Sequence, residues 1–135
     1  MLRNLESAPR TEFDDGIAYI RVNVGVAANE QELRAQIAHE IVHTLSKGKP
    51  STVLEEGMCT YFAVKYGQAH PPHPDNPDQK KYHEAYAAAT ELLKRCPNII
   101  KRLRAPRPID EISADELRKC CPDYPGDFNH LASKF

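Results

Sequence analysis

Proline and glycine stops, each preceded by a capping residue at helix spacing, cut this chain into helices of limited length. Asn29 followed by Glu32 has the spacing of a capping-box start, and Gly48 with Pro50 ends what it begins. The segment between them predicts a helix of about 18 residues. Thr52 with Glu55 opens a second helix that runs to about Tyr66 and stops at Gly67. A third runs from about Asp78 to Arg95 and is closed by Pro97. A fourth, short one starts at Ser113, whose partner is Glu116, and ends before Pro122. The stretch from His70 to Pro77 holds four prolines in eight positions and reads as an extended loop.

The strand signals crowd at the N-terminus. The Asp14-Asp15-Gly16 turn leads into Ile17–Val24, rich in β-formers, and residues 2 to 6 are the expected partner strand. The expectation is a small α+β fold, mostly helical, with about four helices and a short N-terminal sheet. At 135 residues the chain fits one domain, 1–135. Within it, 1–28 forms the strand region, 29–67 the paired helices, 68–77 the Pro-rich loop and 78–135 the C-terminal helices. Apolar residues at 41% and charged residues at 27% suit a folded chain and not a disordered one.

A net charge of -1 argues against a dedicated nucleic-acid binder. No apolar run approaches the roughly 20 residues that span a bilayer, and the polar start, Met1 to Arg10, shows no signal peptide. Cys59, Cys96, Cys120 and Cys121 lack the spacing of a structural zinc site and read as free thiols of a cytoplasmic protein. The alternative is one bridge from Cys96 to Cys120 or Cys121 in a secreted protein.

The chemistry lies in His39-Glu40-Ile41-Val42-His43, inside the first helix. Residues four apart lie about 40° apart around a helix, so both imidazoles can address one ion. Leu33, Ile37, Ile41 and Leu45 recur every four positions and predict the face buried against the core, with the histidines turned to a cleft. Glu40 lies between the two faces, placed to take a proton from water on the ion without ligating it. That is the division of labour of a zinc hydrolase.

Such a site needs a third protein ligand. The metzincin pattern would put histidine at 49 and glycine at 46, where this chain has Lys49 and Ser46, so that class is excluded. The second helix instead carries Leu54-Glu55-Glu56-Gly57-Met58-Cys59-Thr60-Tyr61-Phe62-Ala63. Here the sequence resembles the gluzincins, the zinc peptidases related to thermolysin and aminopeptidase N, over about residues 30 to 66. The resemblance implies a zincin-like fold with an edge strand above a cleft, Zn2+ held by His39, His43 and Glu56, and Glu40 as general base. The segment between His43 and Glu56 is shorter than in aminopeptidase N-type enzymes, and the sheet is reduced, so this would be a minimal zincin. Gluzincins also place a Tyr or His downstream to stabilise the oxyanion. The third helix offers Tyr82, His83 and Tyr86, with His83 and Tyr86 the catalytic candidates and packing against Ala89 and Leu93 the competing role for the tyrosines.

Neighbouring residues have blander roles. Glu55, three residues after Thr52, is placed to fold back onto the cap, and Gly57 to let the two metal-bearing helices approach. Thr60 either orients a ligand or packs. His70 and His73 read as solvated loop residues on a segment long enough to be a lid. The basic run Lys94, Arg95, Lys101, Arg102, Arg104 and Arg107 faces acids at 110, 111, 115 and 116 and reads as internally balanced. The strand at 17–24 is a candidate edge for an extended peptide. The expected partner is a peptide or protein substrate, with no nucleic acid and no membrane. A metal-binding or regulatory module with little turnover is the alternative.

Overall fold

The computed structural model describes residues 8–22, 29–48 and 50–135. Strand β1 (Arg10–Asp14) pairs antiparallel with β2 (Ile17–Arg21), Arg10 opposite Arg21 and Asp14 opposite Ile17. Asp15 and Gly16 join them with φ of 46° and 77°. Two successive positive φ angles give the type I′ geometry whose twist matches a hairpin. The strand paired with β2 is therefore Arg10–Asp14. The pairing expected at residues 2 to 6, like the end of the strand at Asn23 and Val24, lies outside the described residues. Thr11 and Phe13 share one face of β1, and Thr11 is buried.

Helix α1 (Glu30–His43) starts as expected, with the Asn29 side chain accepting from the Glu32 N–H. It ends sooner than the stop at Gly48 implies. Leu45 N–H bonds to the Val42 carbonyl and Ser46 N–H to that of His43, the tighter i→i−3 pattern in which helices run out. The buried face also differs from the one that the aliphatic spacing predicts. Ile37 and Ile41 are 37% and 42% exposed, while Ala38, Glu40 and Val42 are buried. The reason lies in α1's neighbours. Helix α2 (Val53–Tyr66) packs on its Ala35/Ala38 side, where a Cβ on Gly67, just past its end, would lie 2.9 Å from Ala35 Cα and Ala38 Cβ. The hairpin covers Glu40. His39 and His43 are thus on the packed side of α1, and the isoleucines point away from it.

Helix α3 (Lys80–Arg95) lies along α2, followed by α4 (Ile99–Arg104), a 3-10 turn at Ile109–Glu111, α5 (Ala114–Cys120) and α6 (Phe128–Ala132). Among the described residues the fold is small α+β and mostly helical, six α-helices with one two-stranded antiparallel sheet. Leu54, Leu92, Ile99, Ile109, Leu117 and Leu131, each at most 2% exposed, form the centre of the core between α2, α3 and the C-terminal turns. The C-terminal strap is stitched to the start of α2, with Val53 N–H bonded to the Ser133 carbonyl and Phe135 N–H to that of Ser51. This stitching fixes the end of α2 that carries the acidic residues.

Gly57 serves a different pair of helices from the one expected. A Cβ there would fall inside van der Waals contact with the Ala85 carbonyl oxygen and 2.8 Å from Ala89 Cβ, so it is α3 that needs the missing side chain. Backbone oxygen cannot swing aside, and overpacking outweighs the roughly 1 kcal/mol that alanine gains in helix propensity. Gly57→Ala is expected to lower stability by about 1–3 kcal/mol, read as a lower urea midpoint. An unchanged midpoint would contradict this packing.

Cys96 and Cys121 form a disulfide across a sequence separation of 25 residues, which corrects the free-thiol reading for these two. Cys59 and Cys120 remain as thiols. The bridge ties the end of α3 to the end of α5, two segments already joined by the core, so pairing follows from packing. Reduction is expected to cost about 2–4 kcal/mol, measured by urea unfolding with and without reductant. Identical curves would show that the bridge carries no load.

Candidate metal centre

The centre forms where α1 and α2 lie side by side under β1. His39 Nε2 is 3.4 Å from Glu56 Oε2, and His43 Nε2 is 3.5 Å from Glu56 Oε1. Cys59, one turn beyond Glu56, places its Sγ 3.5 Å from His43 Nε2. The donor atoms of His39, His43, Glu56 and Cys59 all lie within 4.8 Å of one another, a group able to hold a metal ion. The structure brings together the three ligands that the sequence suggested. It sets beside them Cys59, a fourth group able to donate, which follows Glu56 at the i+3 spacing of one helix face.

A surrounding layer orients these donors. His43 Nδ1 lies 2.6 Å from Glu55 Oε1, and Glu55 is 1% exposed. A carboxylate on one ring nitrogen fixes the tautomer and leaves Nε2 facing the centre, the usual arrangement behind a metal-binding histidine. Glu55 therefore does not fold back onto its helix cap. Its N–H still bonds to Thr52 Oγ1 at 3.2 Å, but a carboxylate this deep needs a cationic or N–H partner, and His43 supplies one. Its Oε2 has no hydrogen-bond partner among the described residues. Ser51 Oγ donates to Glu56 Oε1 at 2.7 Å.

Electrostatics follow from this crowding. Burial opposes a charge on His43, yet the Glu55 hydrogen bond and the nearby Glu56 and Glu40 charges hold its pKa above the ordinary value. Burial likewise opposes charge on Glu56, but His39, Ser51 and His43 outweigh it and hold the carboxyl below its usual range. Burial and the three carboxylates push the Cys59 thiol well up. A bound dication would reverse that preference, since a coordinating thiol is deprotonated outright.

Glu40 stands beside the donors and outside the donor group. It is 4% exposed, and the Thr11 hydroxyl lies 2.9 Å from both its Oε2 and its backbone oxygen. Thr11 had no signal in the sequence, because its role exists only once the hairpin folds over α1. A cleft of about 360 Å³ opens here, lined by Thr11, Phe13, His39, Glu40, Tyr82 and Phe135 among others. The strand beside it is β1, not the β2 segment expected as the peptide edge.

The downstream candidates fall out differently. Tyr82 lines the cleft, against Phe135 at a ring separation of 4.9 Å. Burial and the Glu56 and Glu40 charges raise its pKa, keeping the hydroxyl a proton donor. His83 and Tyr86, the catalytic candidates from sequence, do not line the cleft. His83 Nδ1 is instead 2.9 Å from the Pro72 carbonyl, tying the Pro-rich loop to α3. Helix phase explains the difference, since His83 is rotated about 100° from Tyr82 and Tyr86 sits a turn further from the centre. Thr60 Oγ1 is buried without a partner among the described residues, so it orients no ligand. His70 and His73 are exposed and contribute no donor.

Among the described residues no helix is long and apolar enough to cross a membrane. Comparison with protein-family models, with curated proteins and with solved structures finds no match to this chain.

Proposed function

We propose that this chain is a zinc-dependent metallopeptidase of gluzincin type, with His39, His43 and Glu56 holding the ion and Glu40 as general base. The observation that carries the reading is Glu40, a buried carboxylate held by Thr11 in the cleft wall, beside the donors and not among them. A purely structural metal site has no use for such a group. The donor set fits zinc, which takes imidazole, carboxylate and thiolate at short, nearly tetrahedral spacing. When bound, the ion would supply Lewis acidity and lower the pKa of water in the cleft to near 7.

The remaining work falls to the chain. Glu40, fixed by the Thr11 hydroxyl, takes the proton of the attacking water and passes it to the leaving amine. Tyr82, kept protonated by its surroundings, donates a hydrogen bond to the oxygen on which charge develops. The edge of β1 beside Thr11 and Phe13, unpaired among the described residues, offers main-chain groups to an extended peptide. The Cys96–Cys121 bridge supports the secreted alternative over a cytoplasmic one, since such bridges persist in oxidising compartments. In the basic run, Arg95 pairs with Glu91 and Arg107 with Glu116, while Asp110 and Glu111 hold Lys47 and Asp115 holds Arg118, so internal balance is supported at Arg95 and Arg107 alone.

The test is hydrolysis of a peptide library by zinc-loaded protein, abolished by chelator and restored by zinc. Chelator-resistant cleavage would contradict the reading. A second reading, a metal-binding or regulatory module with little turnover, is favoured by the burial of Cys59 among the donors. Zinc uptake with no cleavage of any library member would select it.

A further inference from the structure

Cys59 is fully buried, and its sulfur faces His43 Nε2, not the hydrocarbon core. An ion at zinc's usual bond lengths, bound tetrahedrally, sets nitrogen and sulfur donors about 3.6 Å apart, and nitrogen and oxygen donors about 3.3–3.4 Å apart. The observed separations are 3.5 Å for His43 Nε2 to Cys59 Sγ, 3.4 Å for His39 Nε2 to Glu56 Oε2 and 3.5 Å for His43 Nε2 to Glu56 Oε1. The two nitrogen–oxygen distances end on different oxygens of Glu56, and all four donor groups lie within 4.8 Å of one another, so these separations approach those of one shell around a shared ion. The second nitrogen of His43 is already committed to Glu55, so the nitrogen shared by two of these separations is the one free to bind. Glu55 Oε2, on a carboxylate 1% exposed, has no hydrogen-bond partner among the described residues, and a nearby cation would balance it.

We propose that Cys59 is the fourth protein donor, so that His39, His43, Glu56 and Cys59 close the centre and the thiolate stands where an open hydrolytic site admits water. The proposal rests on the metal-centre reading above and concerns regulation of that same site. Binding releases the thiol proton to solvent and changes no oxidation state. Three protein donors suffice for a hydrolytic zinc site, and four make the closed set of a structural one. Turnover then depends on the thiolate leaving the fourth position. A sulfur donor also biases the site toward thiophilic ions such as zinc, cobalt and cadmium over magnesium or manganese.

Cobalt reads this directly, because a thiolate bound to Co2+ gives a charge-transfer band in the near ultraviolet that nitrogen and oxygen ligands do not. Chelator-stripped full chain is titrated with Co2+ as wild type, Cys59→Ala, Cys59→Ser, Cys120→Ser and His39→Ala. The Cys59→Ser change is close in size and guards against a packing failure, and Cys120→Ser controls for the other thiol. The band is expected to saturate at one ion per chain in wild type and Cys120→Ser. It should be absent in both Cys59 variants, which are expected to bind cobalt at least about tenfold more weakly, a ligand counting for no less than an outer-shell partner. At saturating zinc, Cys59→Ala is expected to cleave peptide faster than wild type. Cobalt binding that needs His39 yet shows no band, or a band that survives in Cys59→Ala, would overturn the fourth donor. A slower Cys59→Ala enzyme would overturn its blocking role. No cobalt uptake at all would sink the metal centre along with this inference, so the two failures are told apart.

Discussion

Glu40→Gln is expected to retain the metal and the fold while losing peptide hydrolysis by roughly 10²–10⁴-fold, the usual worth of a general base. The amide keeps an oxygen that can accept the Thr11 hydroxyl now bonded to Glu40 Oε2, so the hairpin stays seated on α1. Removed are the negative charge and the basicity. The change should lower kcat with little effect on zinc content, since Glu40 is not among the grouped donors. Assays of kcat, with elemental zinc measured on the same preparation, check both halves. A fully active Glu40→Gln protein would mean that hydrolysis arises elsewhere.

The second large effect separates two adjacent carboxylates. Glu56→Ala removes a donor that lies 3.4 and 3.5 Å from the two histidines, and should strip or nearly strip the metal. From sequence alone, Glu55→Ala would cost only a helix cap. The structure assigns it more, because Glu55 Oε1 sits 2.6 Å from His43 Nδ1. Loss of such an orienting partner typically weakens metal binding 10–100-fold, and that loss is expected for Glu55→Ala. Glu55→Gln keeps an acceptor for His43 Nδ1 and should fall between Glu55→Ala and wild type. Zinc titration against a competing chelator gives the order: wild type tightest, then Glu55→Gln, Glu55→Ala and Glu56→Ala. If Glu55→Ala binds like wild type, the His43 contact does not orient the ring.

The pattern of what the sequence reveals follows from how each interaction is encoded. Caps at Asn29, Thr52 and Ser113 are local, so all three helix starts are legible, and each cap side chain accepts the N–H expected. The spacing of His39, Glu40 and His43 is set by the geometry of one helix and survives folding intact. Roles that depend on what lies across a gap are not legible in this way. Ile37 and Ile41 look like core by periodicity, yet α1 has no described neighbour on that side. Tyr82 and Tyr86 share a helix face, and only the position of the cleft and of Phe135 selects Tyr82. Glu55 satisfied a local rule in the sequence, and a buried histidine outcompeted the cap for its side chain. Strand β1 was recoverable in principle. A two-residue Asp15-Gly16 turn pairs residue 14 with 17 and counts outward to 10 and 21. The short C-terminal helices carry too few turns for periodicity to show, and they are held by the core and the Cys96–Cys121 bridge.

Zinc content of protein purified without chelator or added metal bears most directly on the central claim. The account predicts about one zinc per chain in wild type, held by three protein donors or more, and its loss or marked weakening in His39→Ala and His43→Ala. Wild-type protein that carries no zinc and takes none up on titration, while remaining folded, would contradict it.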